Sequence, residues 1–276
     1  MARSITVPPC HNDTLRTVEV TRYVTPLREG GSLPAIVEAN DDGLYVLKFR
    51  GAGQGPKALI AELVSGEIGR ALGLPVPEIV FATLDPDLAR TEPDPEIHAL
   101  IHDSAGLNLA LDFLPGSVAY DPVVHRISSE LAARIVWFDA YVTNVDRTAR
   151  NTNMLMWHRQ PWLIDHGATL YFHHSPGWAE EPERARAMFP QINEHVLMRA
   201  VAGLPTGQAH ADVDQSCADT LTPPVIERIL ACVPEEWLKS DTSDQHADAV
   251  RDAYRRYLID RLAPPRGFAE EAFRGR

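Results

Sequence analysis

The first third of the chain alternates apolar and polar residues between glycine-bearing turns, and this pattern constrains the fold more than any other. Residues 17–27 (TVEVTRYVTPL) alternate in this way and are rich in β-branched side chains, which is typical of strands. The pattern breaks at residues 28–34 (REGGSLP), resumes at 35–39 (AIVEA), turns at 40–43 (NDDG) and continues at 44–49 (LYVLKF). We therefore predict three strands in meander order, with a glycine-rich hairpin at the first break.

A helix and further strands follow. Apolar residues recur every three to four positions over residues 57–72 and predict a helix, which Gly73 ends. Three more segments read as strands, namely residues 78–84 (EIVFATL), 96–102 (EIHALIH) and 107–113 (LNLALDF). Turn-forming residues then dominate at 114–122 (LPGSVAYDP), where we place a domain boundary.

Helical patterns dominate beyond that boundary. Ser128 or Ser129 can cap a helix that runs to about Tyr141. A β-hairpin (NMLMW, HRQP, WLID) follows, and then three helical patterns near residues 181–202, 223–238 and 243–262. Strands before helices predict an α+β fold, which we expect to be bilobal. The β-rich N-lobe would span residues 1–115 and the mainly helical C-lobe residues 116–276, with a cleft between them.

The composition excludes several classes of protein. The 276 residues include 26 Lys and Arg against 38 Asp and Glu, and the resulting charge of −12 argues against direct binding to nucleic acid or anionic lipid. We expect no membrane span and no signal peptide, because the sequence lacks the apolar runs that both need. The three cysteines form no C-x-x-C pair and support neither a zinc site nor a disulfide framework. A cytoplasmic location is therefore expected.

The densest group of polar residues lies at 141–167 (YVTNVDRTARNTNMLMWHRQPWLIDHG). Asp146 precedes Asn151 by five positions, and Asp165 follows the second apolar run of the hairpin. Phosphoryl transfer from a nucleotide needs a carboxylate that orients the acceptor hydroxyl, and it needs hard oxygen ligands for magnesium. We interpret Asp146 as the catalytic base and Asn151 and Asp165 as the metal ligands. A plain cap or turn role is the alternative.

A cation that can hold phosphates stands earlier in the chain. Lys48 lies near the end of an apolar strand, a position that seldom carries Lys without a charged partner. On the helix at 57–72, Glu62 has small neighbours that allow close approach, whereas Glu67 precedes Arg70 by three residues and reads as a surface pair. We predict that Glu62 pairs with Lys48 and positions its ammonium. A snorkelling edge-strand lysine is the alternative.

Two glycine-bearing loops offer backbone N–H groups to phosphate. Gly30, Gly31 and Ser32 of the first loop are predicted to contact the phosphates, with an ordinary turn as the alternative. The second loop, residues 50–56 (RGAGQGP), precedes a helix whose start could bind an anion. It lacks the Lys-Ser or Lys-Thr ending of a P-loop, so it could equally be a flexible connection.

Other polar residues have simpler interpretations. Asn153 begins an apolar strand, so we favour a turn-closing role over a metal-binding one. Arg147 and Arg150 either neutralise phosphate or face solvent. Adjacent histidines in a strand point to opposite faces, so His173 and His174 should not share a metal ion.

The dipeptide His102-Asp103 is similar to one found in metal-dependent phosphohydrolases. In those proteins it lies on a helix among other histidines. We reject the phosphohydrolase interpretation because the surrounding sequence reads as a strand entering a turn. His166 is interpreted as a local packing or hydrogen-bonding residue.

The sequence resembles the HipA-like kinases of bacteria, whose fold is similar to that of protein kinases and phosphatidylinositol kinases. The resemblance covers roughly residues 20–240. It is most specific at 46–78 (VLKFRGAGQGPKALIAELVSGEIGRALGLPVPE), at 111–117 (LDFLPGS) and at 144–168 (NVDRTARNTNML…WLIDHGA). It implies a protein-kinase-like fold for the two predicted lobes.

Carried over position by position, the resemblance makes Lys48 the phosphate-binding lysine and Glu62 its partner. It makes Asp146 the catalytic aspartate, and Asn151 and Asp165 the metal-binding residues. It also implies an interlobe hinge whose backbone meets the adenine base, formed by Leu111, Asp112, Phe113 and Leu114.

Two features depart from the family pattern. Asp-His-Gly stands at 165–167 where protein kinases usually carry Asp-Phe-Gly, so regulation through an activation segment is not implied. The N-terminal part also looks too short for the extra subdomain of the toxin members. A toxin role and a DNA-binding antitoxin partner are therefore not carried over.

We expect an ATP-dependent and Mg²⁺-dependent phosphotransferase that moves the γ-phosphoryl group to a hydroxyl acceptor. Protein serine or threonine, a small metabolite and a lipid headgroup all remain open as acceptors. One alternative is a non-catalytic nucleotide-binding or scaffold protein with the same fold. The other is a nucleotidyl transferase that uses the same cleft.

Overall fold

The computed structural model describes residues 15–27, 33–205, 207–239 and 246–274. Its strands, in chain order, are β1 (Thr17–Pro26), β2 (Ala35–Ala39), β3 (Leu44–Lys48), β4 (Ile79–Leu84), β5 (Gly106–Asp112), β6 (Val118–Ala119), β7 (Met154–Trp157) and β8 (Gln160–Leu163). Its α-helices are α1 (Pro56–Ala71), α2 (Pro95–Asp103), α3 (Ser129–Tyr141), α4 (Met198–Val201), α5 (Gln208–Thr220), α6 (Pro223–Ala231), α7 (Glu235–Leu238), α8 (Ala247–Leu262) and α9 (Gly267–Phe273).

The first five strands close into a small barrel in the order β1-β2-β3-β5-β4. Strands β1, β2 and β3 form an antiparallel meander, which confirms the three strands predicted from the alternating pattern. Parallel pairing of β1 with β4 closes the barrel. Because β3 lies between β2 and β5, its last residue, Lys48, is fixed by pairing with Leu109 of β5.

Helix α1 lies between the barrel and the helical half of the chain. It is buried along most of its length, which is typical of a core helix. A Cβ atom added to Gly66 would lie 2.4 Å from Ile79 Cδ1, and one added to Gly69 would lie 3.0 Å from Val76 Cγ2. The small residues on α1 therefore allow close packing against β4 and the segment before it, in line with the predicted close approach to another element.

Residues 96–102 belong to helix α2, so the strand predicted for them is wrong. The Asp94 side chain accepts the Glu96 N–H at 3.0 Å, and Pro95 occupies the first helical position. Both are strong helix-start signals. A short apolar run such as EIHALIH fits either a strand or a helix, and the preceding Asp-Pro decides in favour of the helix.

The segments around the polar cluster form as predicted. The Ser128 hydroxyl caps α3 by accepting the Leu131 N–H at 3.3 Å. Strands β7 and β8 pair as the predicted antiparallel hairpin, and β6 adds a third strand beside β7. The loop that carries Asp146 therefore starts at the end of α3 and ends at the hairpin.

The predicted helix near 181–202 is mostly wrong. Pro182 and Pro190 begin short 3-10 helices, and only Met198–Val201 is α-helical. The pattern near 223–238 corresponds to α6 and α7, and α8 accounts for the last predicted helix. Helices α5 and α9 were not predicted.

Apolar side chains form two buried clusters. One fills the barrel, with Val37 and Leu47 completely buried. The other joins α1 to the helical half and includes Leu63 of α1 and Phe138 of α3. Helix α1 is therefore packed between both parts of the fold. Across the described ranges, no helix has the length and apolar character needed to span a membrane.

Candidate active site

The Lys48 ammonium joins three elements of the fold. Its Nζ lies 2.6 Å from Asp165 Oδ1, just after β8, and 3.4 Å from Glu62 Oε2 on α1. Burial alone would lower the pKa of Lys48, but the two carboxylates outweigh burial and raise it. The pairing predicted between Lys48 and Glu62 is thus present, and the ammonium is charged at neutral pH.

Glu62 is almost completely buried and is held by the residue after Asp165. The His166 N–H donates to Glu62 Oε2 at 2.9 Å, and the ring Nδ1 lies 3.4 Å from Oε1. Burial would raise the pKa of Glu62, but the Lys48 ammonium and the His166 contacts outweigh it and lower the pKa to about 2. The carboxylate is therefore ionised at neutral pH.

Asp146 is held by two side-chain amides. Its Oδ2 lies 2.8 Å from Asn151 Nδ2 and 3.0 Å from Asn153 Nδ2. An ionised carboxylate only accepts hydrogen bonds, so both amides must turn their nitrogen atoms towards it and their oxygen atoms away. Asn151 is exposed and Asn153 is buried, which favours Asn151 as the ligand that a bound ion could reach.

The hairpin β7–β8 links the Asp146 group to the Lys48 group. Asn153 precedes β7, and its carbonyl accepts the N–H of Ile164 at 3.1 Å. Arg147 also donates to the carbonyls of Asn153 and Ile164, the latter at 3.3 Å. Asn153 and Asp165 both have positive φ (45° and 55°), a conformation that non-glycine residues adopt rarely and that clusters at functional sites.

The donor chemistry fits a hard divalent cation. Magnesium is usually held by one or two carboxylates together with waters and phosphate oxygens. Asp165 offers a carboxylate whose side chain is 42% exposed, although Lys48 occupies one of its oxygens. Asn151 offers the amide oxygen that faces away from Asp146. These two residues suit magnesium better than a soft metal.

The predicted hinge begins at the end of β5. The N–H groups of Asp112 and Phe113 donate to the backbone carbonyls of Glu78 and Leu44, at 2.9 and 3.0 Å. The N–H of Leu114 has no hydrogen-bond partner among the described residues. Of these three residues, Leu114 is therefore the one whose N–H has no partner within the described part of the chain.

Of the two glycine-bearing loops considered for phosphate binding, only the second lies entirely within the described residues. Three residues predicted to contact phosphate lie outside the described residues: Gly30, Gly31 and Ser32. In the second loop, the Gly51 N–H donates to Ser104 Oγ at 3.0 Å and the Gly55 N–H donates to the Ala52 carbonyl at 2.9 Å. These two amides are used within the fold, which favours a structured connection over an anion site.

Two predictions about charged residues are wrong. Arg147 neither faces solvent nor points to phosphate, because it is 1% exposed and its Nε lies 2.7 Å from Asp139 Oδ2. Glu67 and Arg70 do pair, at 3.3 Å, but both side chains are largely buried and do not form a surface pair.

The histidine interpretation also needs correction. His173 and His174 lie in a 3-10 helix instead of a strand, and their Nε2 atoms are 3.0 Å apart. The Nδ1 of His173 lies 2.8 Å from the Tyr254 hydroxyl. Burial lowers the pKa of both rings, so the pair is neutral at neutral pH.

The dipeptide His102-Asp103 forms the end of helix α2, so the strand predicted around it, on which the phosphohydrolase interpretation was rejected, is wrong. Both side chains are 71% exposed. Among the residues with described positions, no three His, Cys, Asp or Glu side chains cluster as metal ligands. The dipeptide therefore lacks the histidine surroundings that a metal-dependent phosphohydrolase needs.

A buried carboxylate that was not predicted lies beneath the Asp146 loop. Asp139 is completely buried in α3. It accepts hydrogen bonds from Asn144 Nδ2 at 2.7 Å, from Arg147 Nε at 2.7 Å and from His195 Nε2 at 2.8 Å. A lone acid in the apolar run IVWFDAY was the available signal, since such a position requires buried partners.

Comparison with known families defines the class of this protein. The sequence pattern of the HipA-like kinases matches residues 19–262, which is most of the chain. The chain therefore belongs to the HipA-like kinase family, and the resemblance inferred from its sequence is confirmed. A search of curated proteins found no match.

One solved structure supports the fold. The chain is similar to the proinflammatory kinase CtkA of Helicobacter pylori, with a TM-score of 0.57 and 12% identity over 93% of this chain and 97% of that one. At this identity the likeness shows the fold, and it supports the α+β, kinase-like class. Two structures of the Golgi casein kinase, one with Mn and ADP bound, match with TM-scores of 0.38 and 0.41. Each is 12% identical, over 94% of this chain and 75% or 74% of the other.

Proposed function

We propose that the protein is an ATP-dependent phosphotransferase that moves the γ-phosphoryl group to a hydroxyl acceptor. One observation carries the proposal: Lys48 contacts both Glu62 and Asp165, while Asp146, linked to them through the hairpin, holds Asn151. These are the fixed cation, the carboxylate and the hard oxygen donors that phosphoryl transfer needs. The nucleotide would lie in a cleft between an N-lobe (residues 1–115) and a C-lobe (residues 116–276).

Each residue would have a distinct role. Lys48 would hold the phosphate oxygens, since its charge and position are fixed by two carboxylates. Asn151 and Asp165 would hold Mg²⁺, which neutralises charge on the triphosphate when it is bound. The free N–H of Leu114 would donate to the adenine base.

Asp146 would accept the proton of the acceptor hydroxyl. Both amides contact its Oδ2, and its Oδ1 has no hydrogen-bond partner within the described part of the chain. The free Oδ1 is therefore the atom that would meet the hydroxyl. A carboxylate in this role orients the nucleophile and takes its proton as the bond to phosphorus forms. Protein serine and threonine are the first acceptors to test.

The experiment compares Asp146→Ala with Asp165→Ala. Thermal shift with ATP, with and without Mg²⁺, measures binding, and mass spectrometry of products measures transfer. We expect both variants to lose transfer, because one removes the base and the other a metal ligand. Only Asp165→Ala should also lose the Mg²⁺-dependent part of the ATP shift. Asp103→Ala, at an exposed position outside the site, is the control.

Two results would contradict the assignment. One is equal turnover in the wild type and Asp146→Ala, and the other is an ATP shift that does not depend on Mg²⁺ or Asp165. Nucleotide binding without transfer to any hydroxyl substrate would favour the scaffold alternative. An added mass equal to a nucleotidyl group would favour the nucleotidyl transferase.

A further inference from the structure

We propose that Asp139 is a positioning residue that fixes the catalytic loop from beneath, with Asn144 and Arg147 as its two arms. Asp139 does not contact the proposed nucleotide site, so its effect on turnover would pass through Asp146, Asn153 and Asp165. The proposal deepens the proposed function and rests on it wherever turnover is the measurement.

The first arm runs from Asp139 Oδ1 to the backbone of the catalytic aspartate. Asn144 Nδ2 donates to Asp139 Oδ1 at 2.7 Å, and Asn144 Oδ1 accepts the N–H of Asp146 at 3.0 Å. The Asn144 N–H also donates to the Asp139 carbonyl at 2.8 Å. The amide of Asn144 is therefore oriented at both ends, and it fixes where the Asp146 backbone lies.

The second arm runs from Asp139 Oδ2 to both sides of the hairpin. Arg147 Nε lies 2.7 Å from Asp139 Oδ2, and the same guanidinium donates to the carbonyls of Asn153 and Ile164. Asn153 is one of the two amides that hold Asp146, and Ile164 immediately precedes Asp165. One buried charge thus braces the backbone on both sides of the site.

His195 completes the set of donors around Asp139. Its Nδ1 accepts the Leu197 N–H at 3.0 Å, so the proton of the neutral ring must be on Nε2, which lies 2.8 Å from Asp139 Oδ2. Burial would raise the pKa of Asp139, but Arg147 and His195 outweigh burial and lower it. Asp139 is therefore an ionised acceptor that faces only donors.

An amide at position 139 could not satisfy this arrangement. In either orientation of an Asn side chain, its NH₂ group would face donors, either Asn144 or the pair Arg147 and His195. If the new NH₂ group faced Asn144, the Asn144 side-chain amide could accept from it only after rotating by about 180°. Its oxygen could then no longer accept the Asp146 N–H. The change Asn144→Asp supplies an acceptor at that point. In the double variant Asp139→Asn/Asn144→Asp, the new amide at position 139 donates to the new carboxylate at position 144. Every hydrogen bond is therefore restored, and only this one runs in the opposite direction.

The experiment measures kcat, KM for Mg²⁺-ATP and thermal unfolding in the full chain. Asp139→Asn should lose about 100-fold in kcat, the scale of a displacement of about 1 Å in a catalytic group, with a smaller change in KM. The double variant should recover most of that loss. Asp214→Asn is the matched control, because Asp214 accepts from Trp137 Nε1 and Arg266, both at 2.7 Å, and has no described contact with the loop. It should lose thermal stability and keep its kcat.

Several outcomes would overturn the proposal. The first is a wild-type kcat in folded Asp139→Asn, and the second is a kcat in the double variant that is no higher than in Asp139→Asn. The third is a loss of kcat in both Asp139→Asn and Asp214→Asn that is proportional to the loss of thermal stability in each. If Asp139→Asn does not fold, Asn144→Ala replaces it, because this change removes only the first arm. An unchanged kcat in Asn144→Ala would also overturn the proposal.

A measurement without turnover separates this proposal from the proposed function. The Asp146 N–H donates to Asn144 Oδ1 at 3.0 Å, and the Thr148 N–H donates to the carbonyls of Asp146 and Asn151, both at 2.9 Å. Backbone hydrogen exchange at these two amides should be faster in Asp139→Asn, or in Asn144→Ala, than in the wild type, and equal exchange would overturn the bracing role. If the wild type neither binds Mg²⁺-ATP nor transfers phosphate, the proposed function fails, while the exchange result still decides whether Asp139 positions the loop.

Discussion

The substitution Glu62→Gln removes one charge from the buried ion pair that fixes Lys48. Glutamine keeps the volume of the side chain and can still accept the His166 N–H. It cannot balance the Lys48 ammonium, which lies 3.4 Å from the Glu62 carboxylate. Lys48 keeps Asp165 as a partner at 2.6 Å, so we expect a folded but destabilised protein.

The expected magnitude follows from the pKa of Glu62. A fall in that pKa from 4.5 to about 2 corresponds to about 3–4 kcal/mol of stabilisation by the ionised form, at about 1.4 kcal/mol per pKa unit. Removing one partner of a buried pair typically costs about 3–5 kcal/mol. Because Asp165 still faces Lys48, we expect the lower end, about 3 kcal/mol at pH 7.

The pH dependence has a defined direction. The pKa of Glu62 is lowered on folding, so its ionised form contributes fully above the ordinary value of 4.5. That contribution is lost as the pH falls through about 2. The difference in unfolding free energy between the wild type and Glu62→Gln should therefore be constant near neutral pH and shrink in acid.

The assay is urea unfolding at pH 7 and at acidic pH for the wild type, Glu62→Gln, Lys48→Met and the double variant. The sum of the losses in unfolding free energy for Glu62→Gln and Lys48→Met should exceed the loss for the double variant. The difference, which is the coupling energy of the pair, should be about 1–3 kcal/mol. Glu227→Gln, at an exposed position, is the control and should change stability by less than about 0.5 kcal/mol. Equal stability of Glu62→Gln and the wild type at pH 7, or a difference that grows in acid, would refute the reasoning.

Two further substitutions test how α1 is held. In Gly66→Ala the added Cβ would meet Ile79 Cδ1 at 2.4 Å, and because Ile79 is buried this overpacking should cost about 1–3 kcal/mol. Alanine regains about 1 kcal/mol of helix propensity, so we expect a net loss of about 1 kcal/mol in urea unfolding; an unchanged or raised midpoint contradicts this packing. Thr169→Val should cost about 1–3 kcal/mol, because it removes the 2.6 Å bond to Ser65 Oγ and leaves that buried hydroxyl without its partner. Wild-type stability in Thr169→Val would show that this bond does not help to hold α1 against the segment after Asp165.

Local patterns predicted most of the barrel and the hairpin. Strands β1, β2 and β3 were found from alternation and glycine turns, because a period of two is a strong signal over five or more residues. The residues of α2 were predicted to be a strand because their apolar run is short enough to fit both the two-residue period of a strand and the 3.6-residue period of a helix. The 3-10 helices that begin at Pro182 and Pro190 also follow a helix-like pattern, which the prolines interrupt.

The contact between Lys48 and Glu62 could be predicted because each residue is unusual in its own element. A lysine inside an apolar strand and a glutamate among small residues both need a partner, and few partners exist. The network at Asp139 could not be predicted in the same way. His195 lies 56 positions from Asp139, and its segment carries no periodic signal that places it beneath the loop. Only the tertiary fold shows that Arg147 points inward.

We propose that Lys48, Asn151 and Asp165 converge on one magnesium-bound triphosphate. A crystal structure with Mg²⁺ and a non-hydrolysable ATP analogue tests it most directly. We predict Lys48 Nζ on phosphate oxygens, the Asn151 and Asp165 oxygens on the metal ion, and the Leu114 N–H on the adenine. A nucleotide bound elsewhere, or a metal ion that touches neither Asn151 nor Asp165, would contradict this convergence.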